Sequence, residues 1–593
     1  MCKSGLYYMG DGRLNVLLIH ADDGPNRSTY FNSAPLGIHR IRKWVEASYG
    51  DKVQVDCFDP NLYDDPRVEL NTRLTSHCYN IVGYSPLHDT LSRDMGHMLD
   101  ASRILPNALH IAGGQQAGLS RDLLFPYIPE LRVIARGDGE KPMTALLDKI
   151  FRYGINNVRE NPAKYLHNDK GFYIRVGNGS SPPGLRMRSD QDDKHSIFTG
   201  YGDPFSLEEF TRATRAVDFT DVDLDKYWAQ LKAHYTEQQL KDPALLGKLL
   251  TVKPYTSNYC PMGCGFCSTT FYHRDSFGRP AKIVAMRGED LGSYVMDLLK
   301  KNPGTRKVMF KDDLWFLRGG TEDELLDDLD VLGKVKENIR VLDGREITYH
   351  GKARVDTFVH PKTLEINYKL LAATRDAGFV GISIGVESFD ANELEAYNKK
   401  LGSNGPEVNR LALRACRDYN LNVVSYMILS GLYSTPTGLA NSVRGITYEL
   451  KSGGVVRIND KLFSLPGTKI AEDLRDSPEG LAMEVEEPVV GYPHIKVKRI
   501  VSILPRDAKA REIVCEYEQR LSESKRRWQE NLEVTHWIPE LEGPHKMYDM
   551  NRILVSHGII SKEEGEQRRL DLENILMRYK RTSRAVSDEQ TAA

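Results

Sequence analysis

Cysteine is scarce in this chain, with eight in 593 residues. Five of them, Cys2, Cys57, Cys78, Cys416 and Cys515, are scattered without pattern. That scatter argues against a disulfide framework and reads as buried or incidental thiols. No apolar run approaches the ~20 residues of a membrane span. The N-terminal stretch MCKSGLYYMGDGR lacks the apolar core of a signal peptide, so the expected compartment is the cytoplasm, with no membrane partner. Neither sign of charge dominates. Lys and Arg total 80 against 82 Asp and Glu, a net charge of −2, so the balance calls for neither nucleic acid nor an anionic surface. The short basic runs SKRRW (524–528) and RYKRTSR (578–584) read as solvated helix faces. Internal repeats are absent. With 40% hydrophobic and 27% charged residues the chain reads as globular, and its length calls for roughly three or four domains.

What is present is strand–helix alternation, in two rounds. The first has short buried strands at LNVLLIH (14–20), VQVDCFD (53–59), NIVGYSP (80–86), ALHIAGG (108–114) and LRVIARGDGE (131–140). Helical spacing lies between them, over 35–50 and 89–103 for example. This predicts an α/β, doubly wound parallel sheet. Residues 156–200 break the rhythm with Gly, Ser, Pro and charge and read as a linker or long excursion; helical signals follow to about 249. The second round places strands at 307–313, 346–355, 381–388, 422–431 and 455–467. It predicts a partial or full (β/α) barrel whose active loops follow the strands. Beyond 500 the chain is charged, helical in pattern and poor in strands. The expected domains are 1–155, 156–249 (linker and helical connection), 250–480 and 481–593 (mostly helical).

The three remaining cysteines crowd into YCPMGCGFC (259–267). Cys260, Cys264 and Cys267 are spaced C-x3-C-x2-C, one short of a closed four-ligand site. Zinc completed by His273 is one reading. A [4Fe–4S] cluster with one iron left free is the other, and it also explains why the loop stands at the start of a barrel. The spacing, with Phe266 before the last cysteine and the loop after the first barrel strand, resembles the radical S-adenosylmethionine enzymes. The resemblance implies that the free iron binds S-adenosylmethionine, which is cleaved reductively to a 5′-deoxyadenosyl radical. It also implies S-adenosylmethionine contacts at Phe266, at Asp312 and Asp313 in KDDLW, at Arg354, at Glu387 in GISIGVES, and at Ser430 and Gly431 in ILSGLYSTPTG. The KDDLW match is loose, because the family's paired glycines are missing there.

No G-x-G-x-x-G follows the first strand, which argues against a dinucleotide. Instead small residues recur at successive strand ends, where backbone can approach a large ligand. APLG (34–37), VGYSP (82–86), the Gly113–Gly114 pair and RGDGE (136–140), upstream of such a core, resemble the cobalamin-binding domain of cobalamin-dependent radical S-adenosylmethionine enzymes. The resemblance implies cobalamin contacts at Leu36, Gly37, Ser85, Pro86, Leu87, His88, Gly113, Gly114, Gln115, Gly137, Gly139 and Glu140. The Asp-x-His-x-x-Gly motif that supplies cobalt with an imidazole in many cobalamin proteins is missing. DKHSIF (193–198) has Phe198 where glycine belongs, and is expected outside the sheet. Pro86, Leu87 and His88 are the candidates for cobalt's lower face.

The activity implied is methyl transfer from S-adenosylmethionine, by way of methylcobalamin, to an unactivated carbon, or to phosphorus, of a small biosynthetic substrate. A flavodoxin or ferredoxin would donate electrons. Ring contraction or oxidative cyclisation without net methylation is an alternative within the same class. A zinc-stabilised binding module is the alternative outside it. A methylthiotransferase would need a further cysteine cluster, which the isolated Cys57 and Cys78 do not make. Trp528, Trp537 and Tyr548 are expected in a region that closes the cavity or holds the substrate, and no acid–base catalyst stands out.

Overall fold

The computed structural model describes residues 13–24, 34–175, 196–233, 235, 237–280, 282–316, 320–532 and 539–591. Cys2, residues 193–195 and Trp537 lie outside these. The chain divides into two compact units. The first comprises Met1–Pro261, Ser268–Met309 and Val485–Arg499, the second Met262–Cys267, Phe310–Glu484 and Ile500–Ala593.

The first unit is built on β1 (Leu14–His20), β2 (Val53–Phe58), β3 (Ile81–Ser85), β4 (Leu109–Ala112), β5 (Leu131–Ala135), β6 (Phe172–Arg175) and β7 (Ser196–Phe198). Their order is β2-β1-β3-β4-β5-β6-β7. The first five run parallel, as the buried strand runs predict. Side chains of β1 alternate between two cores: Leu14, Val16 and Leu18 join one, Leu17 and Ile19 the other. A strand covered on both faces has no polar side, which is why these segments read as continuous apolar runs. The stretch read as a linker contributes β6 and β7, both antiparallel, to the same sheet. Phe198 of DKHSIF therefore stands in the sheet's last strand, not outside it. β8 (Thr251–Val252) and β9 (Lys307–Met309), paired in parallel, also belong to this unit.

In the second unit β10 (Thr348–Arg354), β11 (Phe379–Glu387), β12 (Asn422–Ile428) and β13 (Val455–Asn459) lie side by side in parallel, in chain order. Helices alternate with them, giving the half-barrel architecture. The helix over Glu322–Asp343 shows how sharply local chemistry sets the ends. Thr321 and Glu324 form a reciprocal capping box at its start, and Gly344, at φ 73°, ends it in a left-handed turn. Helices Ala508–Leu532, Pro539–Ser556 and Lys562–Thr591 complete the unit, with Leu541, Met547, Met550, Leu572 and Leu576 buried.

Region 481–593 does not begin with a helix. β14 (Ala482–Val489) and β15 (Tyr492–Ile503) form a two-stranded hairpin. Its Val489, Tyr492 and Val497 join the first unit's core beside Leu91, Met95 and Met98. Tyr492 donates to Asp100 at 2.8 Å, and Arg67 donates to the same carboxylate at 2.8 Å. Gly96 is required on the facing helix, because a Cβ there would lie 2.5 Å from the Val490 carbonyl oxygen. Cys57, Cys416 and Cys515 are free thiols, but Cys78 is disulfide-bonded, contrary to the incidental thiol expected. Among the described residues no helix is long and apolar enough to cross a membrane.

Candidate functional site

The cysteine loop is held by its flanks. In the first unit Ser257 bridges to Ala285, and the Asn258 side chain accepts from Val284 N at 2.9 Å. The Cys260 carbonyl accepts from the Thr270 hydroxyl at 3.0 Å. His273, the alternative zinc ligand, is packed in an aromatic group. It stacks on Tyr259 at 4.4 Å, with Tyr272 and Phe277 at 5.8 and 5.6 Å. In the second unit Cys267 N donates to the Cys264 carbonyl at 3.0 Å, and Gly265 N to that of Tyr397 at 2.9 Å. Phe266 meets Tyr397 edge-on at 5.6 Å. Cys260, Cys264 and Cys267 are all half-buried. Among the described residues no three His, Cys, Asp or Glu side chains gather as ligands of a single metal ion. Three thiolates on one loop are donors of the kind an iron–sulfur cluster takes.

Three of the sequence-predicted residues meet in the second unit. Arg354, at the end of β10, donates to Cys264 Sγ at 3.6 Å and forks onto Asp356 at 2.8 and 2.9 Å. It also donates to the Lys399 carbonyl at 2.5 Å. Lys399 Nζ pairs with Glu387 at 3.3 Å and donates to the Gly385 carbonyl at 3.1 Å. Lys399, unmarked by any motif in the sequence, thus joins the arginine to the glutamate. Glu387 stands where the β11–β12 register shifts and has φ 66°. A non-glycine residue there is strained, and a bulge of this kind re-aims a side chain at a strand end. In the glycine-rich turn Ser430 donates to the Asp460 carbonyl at 2.9 Å, and Gly431 N to Ser434 Oγ at 2.9 Å. A Cβ on Gly431 would lie 2.6 Å from the Tyr397 hydroxyl. Asp312 is fully buried and Asp313 half-buried.

Glu393 ties two of these loops together. Its carboxylate accepts from Ser388, after β11, at 2.5 Å and from Ser434, in the glycine-rich turn. Burial pushes this carboxyl up to about 7. Its folded value lies above the unfolded one near 4.5, so the native state holds the proton more tightly. The resulting stabilisation is full below pH 4.5 and is lost as pH rises through 7. Glu393→Gln keeps the shape without the titration. The unfolding free energy of wild type relative to this variant is expected to fall by about 3 kcal/mol between pH 4.5 and 8, and urea unfolding at a series of pH values measures it.

The first unit contains a cavity of about 220 Å³ at the carboxyl ends of β3, β4 and β5. Gly37, Ser85, Gly113, Gly114, Gly137, Gly139 and Glu140 line it, all singled out in the sequence. Leu36, Pro86, Leu87, His88 and Gln115 do not. Pro86 borders a separate small hollow, Leu87 is exposed, and His88 Nδ1 lies 3.5 Å from Gln116. Asp94 holds that loop, accepting from Leu87 N at 3.1 Å and Thr90 Oγ1 at 2.5 Å. The cavity's apolar walls include Leu18, Ile111, Val133, Met143 and Phe172. Phe172 was hidden in the stretch read as a linker. At the polar rim Arg40 pairs with Glu140 at 3.0 Å. Burial raises the carboxyls of both Asp138 and Glu140. The helix directly after the cysteine loop, Ser268–Phe277, packs on this rim. Tyr272 donates to the Gly137 carbonyl at 2.9 Å, and a Cβ on Gly137 would lie 2.9 Å from Phe277.

Residues 255–439 match the family model described as the Radical SAM superfamily. The chain carries a radical SAM domain. Its fold is that of cobalamin-dependent radical SAM structures. OxsB, described as a cobalamin-dependent S-adenosylmethionine radical enzyme and solved with aqua-cobalamin bound, is 14% identical with a TM-score of 0.60. The match covers 97% of this chain and 81% of that one. TsrM from Kitasatospora setae, a radical S-adenosylmethionine methyltransferase solved with tryptophan and aza-SAM, is 14% identical with a TM-score of 0.52. Here 80% of this chain and 78% of that one are covered. No curated protein matches the chain at a significant level. The radical SAM match thus contains Cys260, Cys264, Cys267, Arg354, Glu387, Ser430 and Gly431, and the cavity lies upstream of it.

Proposed function

We propose that this radical SAM protein is a cobalamin-dependent methyltransferase, acting on an unactivated carbon, or on phosphorus, of a small biosynthetic molecule. The observation that carries the reading is the docking of the Ser268–Phe277 helix, which leaves the cysteine loop, on the rim of the 220 Å³ cavity. The hollow is lined by small residues at successive strand ends, where backbone can approach a large cofactor closely. TsrM, solved with cobalamin and a [4Fe–4S] cluster, and OxsB, solved with aqua-cobalamin, share the fold.

In this reading Cys260, Cys264 and Cys267 hold the cluster, and Arg354 places a fixed positive charge beside Cys264. Phe266, Asp312, Asp313, Arg354, Glu387, Ser430 and Gly431 surround S-adenosylmethionine, with Lys399 setting the Glu387 carboxylate. The cavity glycines and Glu140 take cobalamin, with the Pro86–His88 loop held by Asp94 nearby. When bound, these groups supply a hydrogen-abstracting carbon radical and a transferable methyl group. The chain's own work is to orient the reactants and keep water from the radical. A flavodoxin- or ferredoxin-type protein supplies the electron.

The test is anaerobic reconstitution with iron, sulfide and cobalamin, then reduction with S-adenosylmethionine present. Formation of both 5′-deoxyadenosine and S-adenosylhomocysteine is the expected result. Deoxyadenosine alone would move the assignment to ring contraction or oxidative cyclisation. Zinc without iron or sulfide would end the radical reading.

A further inference from the structure

The register of the half-barrel fixes which side chains share a face. Lys352, Ser383, Val424 and Val455 pair across the strands in one row, and Arg354, Gly385, Tyr426 and Arg457 in the next. The residues between them, Ala353, Ile382, Ile384, Val423, Met427 and Val456, are buried on the opposite face. Lys352, Tyr426 and Arg457 remain half-open on theirs. That alternation marks the second face as the more open one, the concave interior expected of a half-barrel.

We propose that Lys311 and Lys352, with Tyr426 on the neighbouring row, form a site for an anionic group, a carboxylate or phosphate, of the substrate. The proposal rests on the radical SAM reading of the site and names the substrate's chemistry. Phe310 N donates to the His350 carbonyl at 2.9 Å, which brings Lys311 alongside Lys352. Lys352 Nζ donates to the Lys311 carbonyl at 3.5 Å. Burial first, and the repulsion of Lys352 second, pull the Lys311 ammonium down to about 8, and no carboxylate enters that balance. Two adjacent ammonium groups facing a concave surface are costly until an anion arrives, so the fold has placed charge there for a ligand.

Two sources could supply the anion: the substrate, or the methionyl carboxylate of S-adenosylmethionine. Arg354, beside Cys264, is already ion-paired with Asp356. Lys352 lies two residues earlier on β10, about 7 Å deeper along the strand. The lysine pair thus stands back from the end of the strand that adjoins Cys264, which favours the substrate.

Protection of the amines from reductive methylation, mapped by peptide mass spectrometry, tests this on anaerobically reconstituted enzyme saturated with S-adenosylmethionine. Inorganic phosphate or acetate is expected to slow modification of Lys311 and Lys352 about tenfold relative to chloride at equal ionic strength. Lys352→Met should remove the protection of Lys311, and Lys352→Arg should keep most of it, with circular dichroism confirming that both fold. No protection beyond chloride would overturn the site. Full protection by S-adenosylmethionine alone, with nothing added by phosphate or acetate, would assign the anion to the methionyl carboxylate and overturn the substrate assignment. Iron, sulfide and 5′-deoxyadenosine are measured on the same samples. Their absence would defeat the radical reading, whereas full loading without protection defeats this proposal alone.

Discussion

Cys264→Ala is expected to abolish formation of 5′-deoxyadenosine, by about a thousandfold or more, because the remaining thiolates cannot hold the cluster. Arg354 donates to this sulfur at 3.6 Å and forks onto Asp356, so the site offers a thiolate a pre-set cationic neighbour. Removing the sulfur leaves that guanidinium ion-paired with Asp356 and bonded to the Lys399 carbonyl, so the fold should survive. The variant should therefore be soluble and colourless, with melting behaviour near that of the apoprotein. Cobalamin binding should be retained, since the cavity walls come from the first unit and Cys264 belongs to the second. Iron and sulfide analysis together with a cobalamin titration checks both halves. A variant that still carries four irons and cleaves S-adenosylmethionine would remove the cysteine loop from the chemistry.

Gly113→Leu is expected to weaken cobalamin binding by about a hundredfold or more while leaving the cluster and its reductive cleavage intact. Gly113 directly follows β4 and donates to the Tyr84 carbonyl at 2.8 Å. A Cβ there would find only Ala135, at 3.8 Å, so the backbone accepts a side chain without strain and the added bulk enters the cavity. Gly114 next to it would not serve. Its φ is 85°, and a Cβ would lie 3.0 Å from Ser85 Oγ, so lost binding there would confound strain with blockage. Equilibrium titration of cobalamin by its visible spectrum gives the affinity, and unfolding midpoints confirm the fold. Undiminished affinity in Gly113→Leu would mean that cobalamin does not use this cavity.

Local chemistry made part of this legible in advance. Three cysteines at C-x3-C-x2-C stand out as a candidate metal–sulfur loop because thiolate ligation depends on residue type and short spacing, which chain order preserves. Strands β1 to β5 were readable because both faces are buried, leaving uninterrupted apolar runs. The glycines at their ends stood out because a close ligand or a positive φ tolerates little else.

What the chain order hides is which distant residue completes a contact. Lys399 sits in no motif, yet it joins Glu387 to Arg354, since an ion pair depends on where two backbones pass and not on their separation in sequence. Phe172 became a cavity wall because an antiparallel strand was added to a parallel sheet from a segment with little strand pattern. Tyr492 reaches Asp100 across 392 positions, placing a late hairpin in the first unit's core. The sequence by itself determined the closely spaced cysteine loop, the two rounds of strand and helix, and the glycine-lined strand ends, because each rests on local periodicity or residue chemistry. Only the tertiary structure decided the cavity's walls, the Arg354–Lys399–Glu387 chain and the two-lysine row, because these depend on register and packing between segments far apart in the chain.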